Sequence, residues 1–197
     1  MTILITGTTG GIGGAVKALA EKSGHTVIEF NRGDFDSLTD PQFAIQKFAD
    51  SPIDAVVFCT GTCPIKPVAL TSEELLMETF KVNCGLFHRL IKYIVAEKLY
   101  NPLGMQVIAV SSVSATEGWA GGTAYCASKG ALSALARAYA AELKPKKISV
   151  TALEPRYIKT KMFDNGAGRM GVDESQAIAP EAFAAEILSR FEIAAKI

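Results

Sequence analysis

The sequence predicts an α/β fold with a mainly parallel, doubly wound sheet and helices on both faces. Short β-branched or wholly apolar runs, typical of buried parallel strands, alternate along the chain with segments of helical periodicity. A glycine-rich turn joins the first of these strands to the first helix, as in dinucleotide-binding folds. The 197 residues suit one domain and are short for two, so we expect a single Rossmann-like domain over residues 1–197.

The chain begins with a strand, a glycine turn and a helix. The strand is predicted at Thr2–Thr6, and apolar residues at helical spacing follow until Gly24. The glycine turn, residues 7–14 with the sequence GTTGGIGG, lacks side chains where a phosphate must approach the helix N-terminus. Such a turn can also serve only to reverse the chain, but its place between the first strand and the first helix favours a bound pyrophosphate. The candidate cofactor-binding residues here are Gly7, Thr9, Gly10, Gly11, Ile12 and Gly13.

A second strand is predicted at Thr26–Phe30, and Asn31 and Arg32 follow it directly. In dinucleotide-binding units this position meets the adenosine ribose, where an acidic residue suits a free 2′-hydroxyl and an arginine suits a 2′-phosphate. Arg32 therefore favours NADP(H) over NAD(H) as the cofactor. A solvated arginine is the alternative, and Asp34 and Asp36 could restore a preference for NAD(H).

The segment after the second strand has no space for a full crossover helix directly behind that strand. Asp40 and Pro41 instead predict the start of a later helix, with Phe43, Ile45 and Phe48 as its apolar positions.

Two buried strands are predicted in the middle of the chain. Continuous apolar runs place them at Ala55–Cys59, which breaks at Thr60 and Gly61, and at Met105–Val110. The second strand ends in Ser111 and Ser112, at the end where ligands of open parallel sheets sit.

A long helix is predicted from Ser72 to about Lys98. Asn83 interrupts its apolar stripe at the centre, where asparagine is a poor helix former and needs partners if it is buried. A structural hydrogen bonder and a functional side chain are both compatible with this position.

The helix Thr123–Leu143 carries Tyr125 and Lys129 four residues apart, which stacks both side chains on one helix face. An ammonium beside a phenol favours the phenolate and lowers the pKa from its ordinary value of about 10. Such a pair could transfer protons near neutral pH, although a tyrosine and a lysine at this spacing also occur by chance on helix surfaces.

A further strand is predicted at Ile148–Leu153, and Pro155 ends it.

The last part of the chain predicts little regular structure before its end. Residues 156–180 show little periodicity and contain three glycines, so we expect an irregular, mobile segment over the sheet ends. A final helix is predicted at about Glu181–Glu192.

Composition and charge narrow the classes of partner. Twenty basic and 20 acidic residues cancel to a net charge of zero, without long runs of either sign, which argues against nucleic acid and anionic membranes. Four cysteines lack the paired spacing of a zinc site or disulfide framework, so we expect no metal. The chain starts without a basic leader and has no apolar run near the roughly 18 residues that span a bilayer. We expect a cytoplasmic protein with a small-molecule substrate.

The chain resembles the short-chain dehydrogenase/reductase family, in its single-domain form, over nearly its whole length. The run Thr6 to Gly13 (TGTTGGIG) matches the family's TGxxxGxG turn, and the run Tyr125 to Lys129 (YCASK) matches its YxxxK. Ser112 lies thirteen positions before Tyr125, as the family's catalytic serine does, and Asn83 stands where the family keeps an active-site asparagine.

This resemblance implies a role for each matched residue. Tyr125 would donate a proton to a carbonyl oxygen, or remove it in the reverse direction, and Ser112 would hydrogen-bond the same oxygen. Lys129 would lower the pKa of Tyr125 and hold the nicotinamide ribose, while Asn83 would order a water that relays protons. The further cofactor contacts would be Asn31, Arg32, Thr60, Gly61, Pro155, Ile158 and Thr160, together with Tyr125 and Lys129.

Three departures from the family pattern matter. The family's NNAG reads Phe58 to Gly61 (FCTG) here, and its PG reads Pro155-Arg156. Arg156 could clash with the nicotinamide, gate the site or bind an anionic group of the substrate. Of these interpretations and a side chain that simply points into solvent, we favour the last. The chain also lacks the full crossover after the second strand and the family's last strand and tail, which implies a trimmed substrate lid and an altered oligomer edge.

We therefore predict an NAD(P)(H)-dependent oxidoreductase. The favoured reaction is the NADPH-dependent reduction of a ketone or aldehyde to an alcohol, or the reverse. The alternative is a regulatory or scaffold protein that binds the cofactor with little turnover. A sugar-nucleotide epimerase or dehydratase is a third reading, but it normally needs a larger C-terminal substrate domain. The helices around 72–98 and 123–143 are expected to pair with a second subunit, giving a homodimer or homotetramer.

Overall fold

The computed structural model describes residues 1–39, 47–48 and 52–194. Its strands lie at or within one residue of their predicted bounds: β1 (Thr2–Thr6), β2 (Thr26–Phe30), β3 (Ala55–Phe58), β4 (Met105–Val110) and β5 (Ile148–Leu153). Its α-helices of defined bounds are α1 (Gly11–Lys22), α2 (Arg32–Asp36), α3 (Glu73–Phe80), α4 (Leu86–Ala96), α5 (Thr123–Leu143), α6 (Lys161–Asn165) and α7 (Pro180–Ala194).

The described strands form one parallel sheet in the order β2-β1-β3-β4-β5. The order reverses between β1 and β3, because the chain first builds β2 on one side of β1 and then continues on the other side. At such a reversal the connections leave the strand ends in opposite directions, which opens a crevice beyond the carboxyl ends of the strands. The sheet thereby provides a ligand crevice next to the glycine turn.

Helices cover both faces of the sheet. Phe87 and Leu90 of α4 and Leu132 of α5 belong to the core on one face, while Val16 of α1 and Ile187 of α7 belong to the core on the other. Every residue of β1 and β3 is buried, as expected for parallel strands covered on both sides. The predicted doubly wound α/β fold is confirmed.

The predicted long helix after Ser72 is present from Glu73 to Ala96, but it changes from α to π geometry at its centre. A π-turn, Lys81–Gly85, lies between α3 and α4 and contains Asn83, the residue that broke the apolar stripe. The start of the helix is as predicted, since the Ser72 side chain accepts a hydrogen bond from the backbone N–H of Leu75 at 3.2 Å.

Residues 156–180 are more regular than predicted. They contain α6, whose first turn is capped by Thr160, and a bridge pairs Ile158 with Ile178. The expectation of an irregular segment is wrong here, because Phe163 and Ile158 are buried and fix the chain against the sheet ends.

The helix predicted to start at Asp40 lies outside the described residues, apart from its last apolar position. Phe48 is helical and buried, with its ring stacked 6.1 Å from that of Phe30. In the described part of the chain, no helix combines the length and the apolar character needed to cross a bilayer.

Candidate active site

A cavity of about 240 Å³ opens at the carboxyl ends of the strands. It brings together residues that are far apart in the sequence, and its walls are mostly apolar. The predicted site residues that line it are Ile12, Gly61, Ser112, Tyr125, Lys129, Pro155, Ile158 and Thr160. The other predicted site residues lie outside its lining: Gly7, Thr9, Gly10, Gly11, Gly13, Asn31, Arg32, Thr60 and Asn83.

The glycine turn leaves no room for side chains at its tightest point. Gly7 has a φ of +67°, and a Cβ on Gly13 would lie 2.3 Å from the carbonyl oxygen of Gly7. Helix α1 starts directly after Gly10, which offers no side chain to cap it, so the first N–H groups of α1 are available to an anion. These features fit a bound pyrophosphate.

Thr160 closes the glycine turn from the opposite side of the crevice. A Cβ on Gly11 would lie 2.5 Å from the Cγ2 atom of Thr160. The predicted phosphate-binding turn and the predicted nicotinamide-side residue therefore face each other directly.

Thr6 ties the ends of β1 and β3 together beneath the crevice. Its hydroxyl accepts hydrogen bonds from the backbone N–H groups of Cys59 and Thr60 at 3.0 and 3.1 Å, and from the hydroxyl of Thr60 at 2.9 Å. The side chain of Thr60 is thus turned toward the sheet. Gly61, which follows, lies next to the buried polar groups, since a Cβ there would make ordinary contacts of 3.4 Å with Oδ1 of Asn83 and 3.6 Å with Nζ of Lys129.

At the predicted adenosine end, Asn31 connects the glycine turn to α2. Its Oδ1 accepts from the backbone N–H of Thr8 at 3.1 Å, and its own N–H donates to Asp34 at 2.6 Å. Asp34 also pairs with Lys47 at 3.0 Å. Arg32 is exposed and forms no ion pair with another described residue. Of these charged groups, Arg32 is the one free to meet a ligand.

Thr8 and Glu29 form a contact at this end that sequence reasoning missed. The hydroxyl of Thr8 donates to the Glu29 carboxylate at 2.6 Å, and Lys17 binds the same carboxylate. Hydrogen bonds from Lys17 and Thr8 lower the pKa of Glu29. Glu29 is the last residue but one of β2, and its acidic side chain near the carboxyl end of a strand was the signal in the sequence.

Ser112 and Tyr125 meet inside the cavity. Ser112 follows β4 and is 6% exposed, and its hydroxyl accepts from the N–H of Ser114 at 3.1 Å. Burial raises the pKa of Tyr125 to about 12, while a hydrogen bond with the Ser112 side chain acts in the opposite direction. At neutral pH the phenol therefore holds its proton.

The lowered pKa predicted for Tyr125 is not found in this structure, where burial outweighs the nearby Lys129. Its Nζ lies 5.8 Å from the centre of the Tyr125 ring and donates to the carbonyl oxygen of Val110 at 2.8 Å. Burial lowers the pKa of Lys129 itself to about 8, with the thiols of Cys59 and Cys63 acting the other way. Both pKa shifts follow from desolvation, which disfavours the charged form of each side chain.

Asn83 acts as a structural brace in this arrangement. Its Oδ1 accepts from the N–H of Thr62 at 2.7 Å, and its Nδ2 donates to the carbonyl of Thr62 and the hydroxyl of Ser128, both at 2.9 Å. Ser128 in turn donates to the carbonyl of Tyr125 at 2.8 Å. The buried amide thus connects the π-turn to the loop after β3 and to the helix that carries Tyr125.

The mouth of the cavity, which we define as Glu117, Trp119 and Arg156, was largely missed from the sequence. Arg156 pairs through Nη2 with the Glu117 carboxylate at 2.8 Å, so it is not simply solvated. Trp119 donates from Nε1 to the hydroxyl of Ser114 at 3.1 Å, and its ring lies 6.3 Å from that of Tyr125. The Pro155-Arg156 departure was a signal for Arg156, but nothing in the sequence pointed to Glu117 as its partner.

Comparison with known proteins gives a family match over almost the whole chain. A family model described as enoyl-(acyl carrier protein) reductase matches residues 1–194. The short-chain reductase protein NovJ of Streptomyces niveus is 30% identical over 139 residues, covering 71% of this chain and 52% of NovJ. The L-xylulose reductase of Bos taurus is 26% identical over 176 residues, covering 81% of this chain and 72% of that enzyme. The chain spans about half the length of the first of these relatives.

The fold is also similar to that of solved structures. One is a variant of actinorhodin polyketide ketoreductase with NADPH, with a TM-score of 0.78 and 17% identity over 96% of this chain and 89% of the other. At that identity the likeness concerns the fold.

Proposed function

The chain belongs to the short-chain dehydrogenase/reductase family, whose members act as oxidoreductases on CH–OH and C=O groups, and we propose that this member reduces a ketone or aldehyde with NADPH. The observation that carries the proposal is the meeting of Ser112, Tyr125 and Lys129 in one cavity beside the glycine turn. The bound nicotinamide would supply the hydride.

We propose that the chain holds the cofactor between the glycine turn and the loop after β5. The uncapped start of α1 would bind the pyrophosphate, and Thr160 would cover it from the opposite side. Arg32 supports NADP(H), because it is exposed beside the turn while the competing Asp34 is engaged by Asn31 and Lys47.

Tyr125 would act as the proton donor in reduction. A phenol with a pKa of about 12 is protonated at neutral pH, which suits an acid that gives its proton to a developing alkoxide. Ser112 would hydrogen-bond the same oxygen and hold the carbonyl against Tyr125. Lys129, with a pKa of about 8, carries a positive charge at neutral pH and would stabilise the phenolate left behind.

The decisive experiment compares Tyr125→Phe with the matched control Tyr100→Phe, whose ring lies outside the cavity lining. Oxidation of NADPH would be followed with a panel of ketones and aldehydes. We expect Tyr125→Phe to lose turnover by at least about 100-fold while retaining NADPH binding, and Tyr100→Phe to retain both. Full turnover in Tyr125→Phe would refute the mechanism.

The choice of cofactor has its own test. We expect Arg32→Ala to weaken NADPH binding by about tenfold or more, because a charge-assisted hydrogen bond to the 2′-phosphate is lost, and to leave NADH binding unchanged. Fluorescence of the bound cofactor would report both affinities. An equal loss for the two cofactors would show that Arg32 does not read the 2′-phosphate.

A second candidate is a protein that binds the cofactor with little turnover. The Arg156–Glu117 pair at the mouth favours it, because the pair joins two side chains that line the cavity. Tight NADPH binding without turnover of any ketone, aldehyde or alcohol would support this candidate over the first.

We also propose that the protein is a homo-oligomer. Met77 on α3 is 59% exposed, and Val68 and Leu70, which precede this helix, are 76% and 68% exposed. A second copy of the chain could cover these apolar side chains. Light scattering coupled to size exclusion would measure the mass, and a monomer at micromolar concentration would contradict the proposal.

A further inference from the structure

Arg156 is placed to contact whatever binds beside Ser112. The carbonyl oxygen of Pro155 accepts a hydrogen bond from the N–H of Val113 at 3.1 Å, so the backbone before Arg156 is fixed to the residue that follows Ser112. The Arg156 side chain lines the same cavity as Ser112 and Tyr125. It therefore reaches the mouth from a fixed base close to the reacting groups.

The partner of Arg156 in this structure is a carboxylate that a ligand can replace. One nitrogen of Arg156 contacts one oxygen of Glu117 at 2.8 Å, and the two side chains are 58% and 52% exposed. Ion pairs with this much water around them contribute little to stability. The position of the Glu117 carboxylate shows where an anion fits against Arg156.

The other positive charge of the described lining, on Lys129, is buried rather than exposed at the mouth. Among the described lining residues the charged side chains are Glu117, Lys129 and Arg156, and Lys129 is buried and bonded to Val110. The aromatic side chains of Trp119, Tyr157 and Phe163 line the cavity together with Tyr125. The cavity thus combines an apolar body with one available cation at its entrance.

We propose that Arg156 is a specificity-determining residue that binds a carboxylate of the substrate, and that Glu117 occupies this position only in the free protein. Building on the proposed function, the substrate class is a ketone or aldehyde with an apolar or aromatic body and a carboxylate at the end away from the reacting carbonyl. The carboxylate displaces Glu117 and takes over its contact with Arg156, which orients the carbonyl toward Ser112 and Tyr125.

The kinetic test uses an aromatic keto acid and its methyl ester as a matched pair. Arg156→Gln should raise KM for the acid by about tenfold or more, because a charge-assisted hydrogen bond is lost, and leave KM for the ester unchanged. Glu117→Gln should lower KM for the acid, because a competing carboxylate is removed. If the ion pair only closes the mouth, both substitutions should change KM for the acid in the same direction. That result would overturn the proposal, and so would an unchanged ratio of the KM values for acid and ester in Arg156→Gln.

A binding test separates this proposal from the proposed function. Trp119 is the one tryptophan of the sequence, and it lies at the mouth, so its fluorescence can report the binding of benzoate against benzamide in the presence of NADP⁺. We expect benzoate to bind more weakly to Arg156→Gln by about tenfold and more tightly to Glu117→Gln, with benzamide insensitive to both. Benzoate binding that does not depend on Arg156 would overturn the proposal, while Arg156-dependent binding without turnover of any carbonyl would refute only the proposed reaction.

Discussion

The glycine turn and the mouth both border the cavity at the strand ends, and they are built differently. At the turn a Cβ on Gly13 would lie 2.3 Å from the carbonyl oxygen of Gly7, so backbone packs against backbone. At the mouth a Cβ on Gly118 would meet no atom within 4 Å, and Arg156 and Glu117 are each more than half exposed. The turn therefore admits little change in sequence, whereas the mouth can change side chains without disturbing the fold.

Gly13→Ala should have the largest effect, since the added methyl group meets the backbone of Gly7 and neither can move aside. We expect the free energy of unfolding to fall by about 3 kcal/mol, measured by urea denaturation, with loss of NADPH binding. Gly118→Ala at the mouth is the matched control and should unfold like wild type. Equal stability of the two variants would remove the proposed difference between the regions.

The same difference explains which parts of the site could be predicted. The glycines of the turn and the Tyr125–Lys129 spacing are local patterns, because helix geometry and backbone clearance act over a few residues. The Arg156–Glu117 pair joins residues 39 apart in sequence, and no local rule links them. The raised pKa of Tyr125 likewise depends on burial by the whole fold, so the local spacing identified the neighbouring lysine but predicted a lowered pKa, which is wrong for this structure.

The fold shows the same division. The strands were predicted from their apolar composition, since a buried parallel strand needs little else. The π-turn around Asn83 and the bridge between Ile158 and Ile178 were not predicted, because both depend on contacts with distant segments.

Asn83→Ala tests whether the hydrogen bonds of the Asn83 side chain constrain the structure as strongly as the packing of the glycine turn does. The substitution leaves the N–H and carbonyl of Thr62 without their buried partner, which we expect to lower the free energy of unfolding by about 2 kcal/mol. Ser128→Ala removes one of the three contacts and should cost less. If Asn83→Ala unfolded like wild type, the brace would not be structural and the water-ordering role would regain support.

The contribution of Lys129 to the stability of the protein should rise with pH between about 8 and 10. Its pKa is lowered to about 8 in the folded chain, against about 10.4 when unfolded, so in this interval the unfolded chain binds more protons and higher pH favours folding. Cys59 and Cys63 act in reverse over an overlapping range, because burial raises the pKa values of their thiols to about 12 and 11 in the folded chain, whereas an ordinary thiol titrates near about 8.5. The effect of Lys129 is therefore measured as a difference from a variant without the lysine.

Urea denaturation at each pH, compared between wild type and Lys129→Met, isolates the contribution of the lysine. The wild type should gain up to about 1 kcal/mol per pH unit relative to the variant. Parallel pH profiles for the two proteins would show that Lys129 is not held in a desolvating environment.

The smallest effect is expected for the ion pair at the mouth. A double-mutant cycle of Glu117→Gln and Arg156→Gln should give a coupling energy for unfolding of about 0.5 kcal/mol, because both side chains are well exposed and the attraction is screened by solvent. Raising the salt concentration should reduce it further. A coupling above about 2 kcal/mol would exceed what exposed pairs contribute and would mean that the mouth is held as firmly as the glycine turn. A weak coupling, in contrast, leaves Arg156 energetically free to exchange Glu117 for a ligand carboxylate, which is what its proposed role in specificity requires.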